Sequence, residues 1–127
     1  MTSYRELKVW QLAMDLTVRV YDVTSNFPAA ERYGIAQQMR RAAVSIPSNI
    51  AEGYGRRTAK QRYHFLENAL GSTFELETQT ELSARLHFIA EDEAVEIADT
   101  IRGIGRGLTA LMQYVADEAR NEQKRHT

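Results

Sequence analysis

Two arginines follow directly on a pair of glycines in "NIAEGYGRRTAK", residues 49–60, and Arg62 comes two residues later. Basic side chains beside a glycine-rich break are what a phosphate-binding turn uses. However, "GYGRRTAK" lacks the Walker spacing and its Lys-Ser/Thr pair, no third glycine completes GxGxxG, and no strand pattern precedes it. Gly53 and Gly55 are therefore expected to be structural, following the last periodic residue as helix C-caps commonly do. The cations are a separate matter. Arg56, Arg57, Lys60 and Arg62, interleaved with Tyr54 and Tyr63 near a helix start, form a candidate surface for a nucleic-acid backbone. Arg40 and Arg41 would extend it, two turns or more away along the preceding helix.

Other chemistries find less support. His64, His87 and His126 share no helix face, and the only carboxylate–histidine pairing at i, i+3 is the reversed "HFLE", His64 to Glu67. A di-iron bundle needs Glu-x-x-His on two helices with further glutamates, so no metal is expected. Glu67 after His64 would repel phosphate, which argues against a phosphotransfer histidine. The chain has no cysteine, and its spacing proposes no Ser-His-Asp arrangement. Neither an enzyme nor a cofactor is expected. One carboxylate stands out. Leu66, Leu70, Thr73, Glu77 and Thr80 fall along one helical seam, and Glu77 occupies a place suited to an apolar residue. It either reaches water at the bundle edge or is paired inside, with Arg40, Arg41 or Arg62 as candidate partners.

Helices must position these residues. At 127 residues and 43% hydrophobic content the chain is one domain with a real core. No apolar run approaches the roughly 18 residues of a membrane span, and "MTSYRELKVW" lacks a signal-peptide layout, so a cytoplasmic location with no membrane partner is expected. Two prolines and seven glycines fall between periodic runs rather than within strands. The pattern predicts an all-α, up-down-up-down antiparallel four-helix bundle over residues 1–115. Its helices are expected at about 5–25, 31–52, 58–86 and 90–115, with residues 116–127 a polar tail, either disordered or a helix extension. Ile35, Met39, Ala42, Ala43, Ile46 and Ile50 keep helical spacing through Pro47, which predicts a kink rather than a stop. Ser48 and Asn49 are expected to serve as local donors to the carbonyl that Pro47 leaves free, or to bridge water to it.

Charge and apolar surface are unevenly placed. Residues 32–64 hold seven Lys/Arg and one acid, whereas residues 65–99 hold nine acids and one base. This describes a basic end and an acidic face, although such runs also arise as ordinary solvated surface. On the first helix the apolar residues, among them Trp10, Met14 and Tyr21, cover about two-thirds of the circumference. A bundle core covers about half, so this excess is expected to form an oligomer interface.

"LKVWQLAMDL", "QMRRAAVSIPSNIAEGYGRR" and "YHFLENALGSTFELETQ" resemble the four-helix-bundle family of 23S ribosomal RNA intervening-sequence proteins, over about residues 4–115. The resemblance implies a cytoplasmic bacterial bundle assembling as a homopentamer. A related branch, the accessory variability proteins of diversity-generating retroelements, implies binding to nucleic acid and to a nucleic-acid-processing protein, a reverse transcriptase. The reading that follows is an oligomeric, non-enzymatic scaffold binding RNA or DNA through the basic end. Its alternative is a protein–protein adaptor whose basic end docks an acidic partner.

Overall fold

Apolar residues at helical spacing fold the chain into α1 (Lys8–Thr24), α2 (Ile35–Tyr54), α3 (Ala59–Arg85) and α4 (Glu91–Arg125). The structure, a computed structural model, describes residues 3–125. Contacts between helices fix their directions. Thr17 meets Ala43, and Arg40 meets Thr24. Ser45 meets Ser72, Glu77 meets Arg102, and Arg19 meets Glu96. Each neighbouring pair therefore runs antiparallel, with α2 packed between α1 and α3. The apolar stripe of α4, from Ile97 through Ile104 and Leu108 to Val115, is buried against Leu16 and Val20 of α1, Met39 and Ile46 of α2, and Leu66 and Leu76 of α3. Among the described residues no helix is long and apolar enough to cross a membrane.

Two boundaries differ from expectation. Leu7 is extended between a single 3-10 turn, Tyr4–Glu6, and α1. Glu31, expected to open the second helix, instead ends another 3-10 turn, Ala29–Glu31, and α2 begins only at Ile35. The fourth helix runs past 115 to Arg125, so of the two alternatives for residues 116–127 the described part is a helix extension; His126 lies outside the described residues. The third helix starts as its sequence implies, with the Thr58 hydroxyl accepting from the Gln61 amide at 3.1 Å.

Helix α2 passes through Pro47 and ends at Tyr54. Proline cannot donate to the carbonyl of Ala43, and that carbonyl is fully buried. Its partner is not Ser48 or Asn49. The Thr17 hydroxyl of α1 lies 2.8 Å from Ala13 O and 3.1 Å from Ala43 O, sharing one proton between its own helix and the gap in α2. Asn49 instead donates to Ser45 O at 2.8 Å and Ser45 Oγ at 2.9 Å. Ser45 Oγ in turn meets Ser72 Oγ of α3 at 2.8 Å. The proline is thus accommodated by a neighbouring helix, and the asparagine helps tie α2 to α3.

The α3–α4 turn closes without glycine. His87 takes φ 64°, with Phe88 N donating to Ser83 O and His87 N to Ala84 O at 2.9 and 3.0 Å. This is a Schellman closure with a histidine in the left-handed position. Beyond it, Glu77 faces α4: it accepts from Arg102 Nη1 at 2.8 Å, and Asp99 holds Nη2 at 2.6 Å. The hydrogen bonds that Arg102 donates to Asp99 and then to Glu77 raise its pKa. Glu77 therefore sits half-exposed at the bundle edge with a partner on α4, not with Arg40, Arg41 or Arg62.

Gly53 lies inside the last turn of α2, not after it, and Gly55 is the C-cap in a right-handed conformation at φ −84°. A Cβ on Gly53 would stand 3.0 Å from Phe65 Cβ and 3.4 Å from Arg62 O, both fixed to the α3 backbone. Gly71, on the open side of α3, has nothing within 4 Å. Gly71→Ala should therefore stabilise the protein by about 0.5–1 kcal/mol through helix propensity. Gly53→Ala should lose that gain and destabilise by about 1 kcal/mol or more through overpacking. Urea denaturation of both variants checks the contrast.

Candidate nucleic-acid interface

Close contact between α2 and α3 leaves only residues 55–58 to connect them. Gly55 N and Arg56 N donate to Glu52 O and Gly53 O, both at 3.1 Å, so the chain turns tightly before Thr58 caps α3. Four cations are thereby confined to one end of the bundle, but they are not equivalent.

Arg56, Arg57 and Lys60 are exposed. Arg56 lies 3.7 Å from the Glu52 carboxylate, and its guanidinium stands 4.6 Å over the Phe65 ring. That contact orients a planar donor group at the surface while leaving its edge in water. Among the described residues the side chains of Arg57 and Lys60 make no hydrogen bond or ion pair. Beside them runs an open groove of about 610 Å³, lined by Arg56, Lys60, Gln61, Tyr63, His64, Phe65 and Glu67. Cations with aromatic faces between them suit a flexible phosphate backbone carrying bases that stack.

Arg62 is held differently. Its Nη1 donates to Arg56 O at 3.1 Å, and its Nη2 lies 3.7 Å from Glu118 and 3.8 Å from Glu122. The Glu122 carboxylate also accepts from the Ala59 amide, at 3.3 Å through either oxygen. The first turn of α3 contains no acid of its own, so α4 supplies the negative charge that a helix N-terminus favours. Phe65, Glu118 and Glu122 were not among the site residues expected from sequence. The two glutamates fall past Val115, the last large apolar residue of α4, where periodicity gives little signal. Burial, and next the Glu118 carboxylate, push the Tyr54 phenol above its ordinary 10.0, while Arg62 pulls it down.

Arg40 and Arg41 do not join this group. Arg40 Nε donates to Thr24 Oγ1 at 2.8 Å and Nη2 to Tyr21 O at 3.4 Å, with the guanidinium 4.7 Å over the Tyr21 ring. It braces the C-terminal end of α1, where a cation complements the helix dipole. Arg41 is exposed, and lies on the order of 20 Å along α2 from the junction at 1.5 Å per residue.

Of the expected interface residues, Trp10 is half-buried against the core and edge-on to Tyr4 at 5.2 Å. Met14 and Tyr21 are 42% and 44% exposed, and Val18, which shares their face, is 63% exposed. The apolar excess of α1 therefore remains uncovered within one chain. Among the described residues no three His, Asp or Glu side chains gather as a metal set.

Residues 5–110 match the profile of the family described as 23S rRNA-intervening sequence protein. A crystal structure of a protein of unknown function from Bacteroides thetaiotaomicron, of the S23 ribosomal protein family, is similar in fold. It superposes with a TM-score of 0.74 at 22% identity, over 82% of this chain and 97% of that one. No curated protein matches the chain.

Glu118→Gln should lower the Tyr54 pKa toward 10, because the carboxylate disfavours the phenolate; an NMR titration of ring-labelled tyrosine checks this. Since folding raises this pKa, its stabilising contribution is complete below pH 10.0 and is lost as pH rises through the folded value.

Proposed function

This chain belongs to the 23S rRNA-intervening sequence protein family, and from that premise we propose that it is a cytoplasmic, non-enzymatic scaffold that binds a nucleic-acid backbone. The observation that carries the reading is the junction itself. Arg56, Arg57 and Lys60 stand exposed within two turns, beside a groove with Tyr63, His64 and Phe65 in its wall. Exposed cations beside aromatic rings suit holding a strand. Such contacts go to phosphate and not to base edges, which makes binding weakly sequence-specific and steeply salt-dependent.

We infer further that copies associate through the face of α1 carrying Met14, Val18 and Tyr21, with five subunits as the expected count. Contiguous exposed apolar residues on one helix favour burial against a second copy. Assembly would repeat the cationic junction around the oligomer, so weak single contacts would combine by simultaneous engagement.

Replacing Arg56, Arg57 and Lys60 with alanine should weaken binding to structured RNA and duplex DNA alike. On duplex DNA it should flatten the salt slope by about 0.9 for each phosphate that the protein no longer neutralises. Fluorescence anisotropy at low and moderate salt measures both. If the wild-type protein binds neither nucleic acid at low salt, the adaptor reading with an acidic protein partner takes its place. Light scattering should give about five chain masses, and Met14→Glu with Tyr21→Glu should reduce this to one, since charge on that face opposes burial. A wild-type monomer at all concentrations would remove the assembly reading.

A further inference from the structure

The far end of α4 comes back to the one place where its carboxylates meet the cationic junction. Glu118 and Glu122 lie one turn apart on the face toward α3, and both reach Arg62, at 3.7 and 3.8 Å. Glu122 also accepts from the Ala59 amide, so it is anchored to backbone as well as to a side chain. Arg62 is the least exposed of the pair partners there, with 21% of its side chain accessible against 39% and 30% for the two glutamates. Arg62 lies two positions after Lys60, and it bonds to the carbonyl of Arg56, so it belongs to the junction in position but not in availability. A carboxylate in front of a guanidinium offers acceptor oxygens and negative charge of the kind a backbone phosphate would.

We propose that the last turns of α4 are an intramolecular mask: Glu118 and Glu122 occupy Arg62 in place of phosphate and set how strongly the junction binds nucleic acid. This rests on the nucleic-acid reading of Arg56, Arg57 and Lys60. Those three cations meet the strand first. A strand that also displaces the two carboxylates gains Arg62 as a further partner, and the α3 N-terminus exchanges its borrowed negative charge for the incoming phosphate.

The test uses the full chain and anisotropy with an RNA hairpin and a DNA duplex. Glu118→Gln with Glu122→Gln should bind about threefold to tenfold more tightly than wild type, the range that releasing two exposed ion pairs allows. The salt slope on duplex DNA should steepen by about 0.9, the value for one more neutralised phosphate. Glu75→Gln with Glu91→Gln removes the same charge far from the junction and should gain less. Adding Arg62→Ala to the masked-pair variant should abolish the gain. Glu118→Gln alone, which leaves Glu122 on Ala59, should give part of the effect if the double variant loses its helical circular dichroism. Equal gains in the two double variants, or a gain that survives Arg62→Ala, would overturn the mask. If wild type binds through Arg56, Arg57 and Lys60 but Glu118 and Glu122 make no difference, only the mask falls. If neither wild type nor any variant binds, both readings fall together.

Discussion

The carbonyl of Ala43 is the constraint on which the arrangement of α2 depends. A proline one turn later cannot bond it, and burial denies it water. Ending α2 there would leave Ile50 and Gly53 without the helix that carries them into the core. The Thr17 hydroxyl answers the carbonyl from α1, so α2 continues to Tyr54 and delivers the junction to the end of α3. Close approach then matters as much as hydrogen bonding. Ala42 and Ala43 of α2 and Ala59 and Ala69 of α3 are small and buried, and Gly53 stands where a methyl group would meet Phe65. Small residues bring the two helices near enough that four connecting residues suffice.

Helix number and order were legible because the buried positions of α1, α2 and α4 repeat at helical spacing. Residues such as Ile97, Ile101, Ile104 and Leu108 need no knowledge of their neighbours to be placed. Partners across helices were not legible in the same way. Glu77 stands out on an apolar seam, but the seam itself names no cation, and the basic residues of α2 and early α3 prove to be the wrong ones. Folding the α3–α4 hairpin at its turn places Arg102 beside Glu77 and Glu122 beside Ala59. That step uses only turn position and helix rise, and it yields both pairs. The far end of α4 is hidden for a different reason. Beyond Val115 only Ala119 still packs against the core, and the remaining hold comes from Glu118 and Glu122 acting on α3, a tertiary effect that local pattern does not contain.

The same fold-over changes what the linear charge asymmetry means. Acids crowd residues 65–99 and bases crowd residues 32–64, which suggests two separated regions. Because α4 returns antiparallel, it carries a second set of carboxylates back to the basic end. Four cations at the junction, Arg56, Arg57, Lys60 and Arg62, share it with Glu52, Glu118 and Glu122. The Arg40 side chain, counted with the basic end in sequence, instead closes the C-terminal end of α1. Charge available to a ligand is thus smaller than the residue count implies, and it is concentrated on Arg56, Arg57 and Lys60.

Availability, in turn, depends on what each cation gives up to bind something else. Arg57 and Lys60 give up only water. Arg56 keeps its ring contact with Phe65 and surrenders a partly exposed pair with Glu52. Arg62 must leave two carboxylates at 3.7–3.8 Å, distances longer than a tight charge-assisted hydrogen bond, in a partly solvated setting. Pairs of that kind are worth about 0–1 kcal/mol each, less than the attraction of a phosphate that several cations hold at once. The contacts that order the end of α4 are therefore strong enough to keep a helix formed and weak enough to exchange. A better-buried pair would have made Arg62 purely structural, and an unpaired one would have left α4 without its hold on α3.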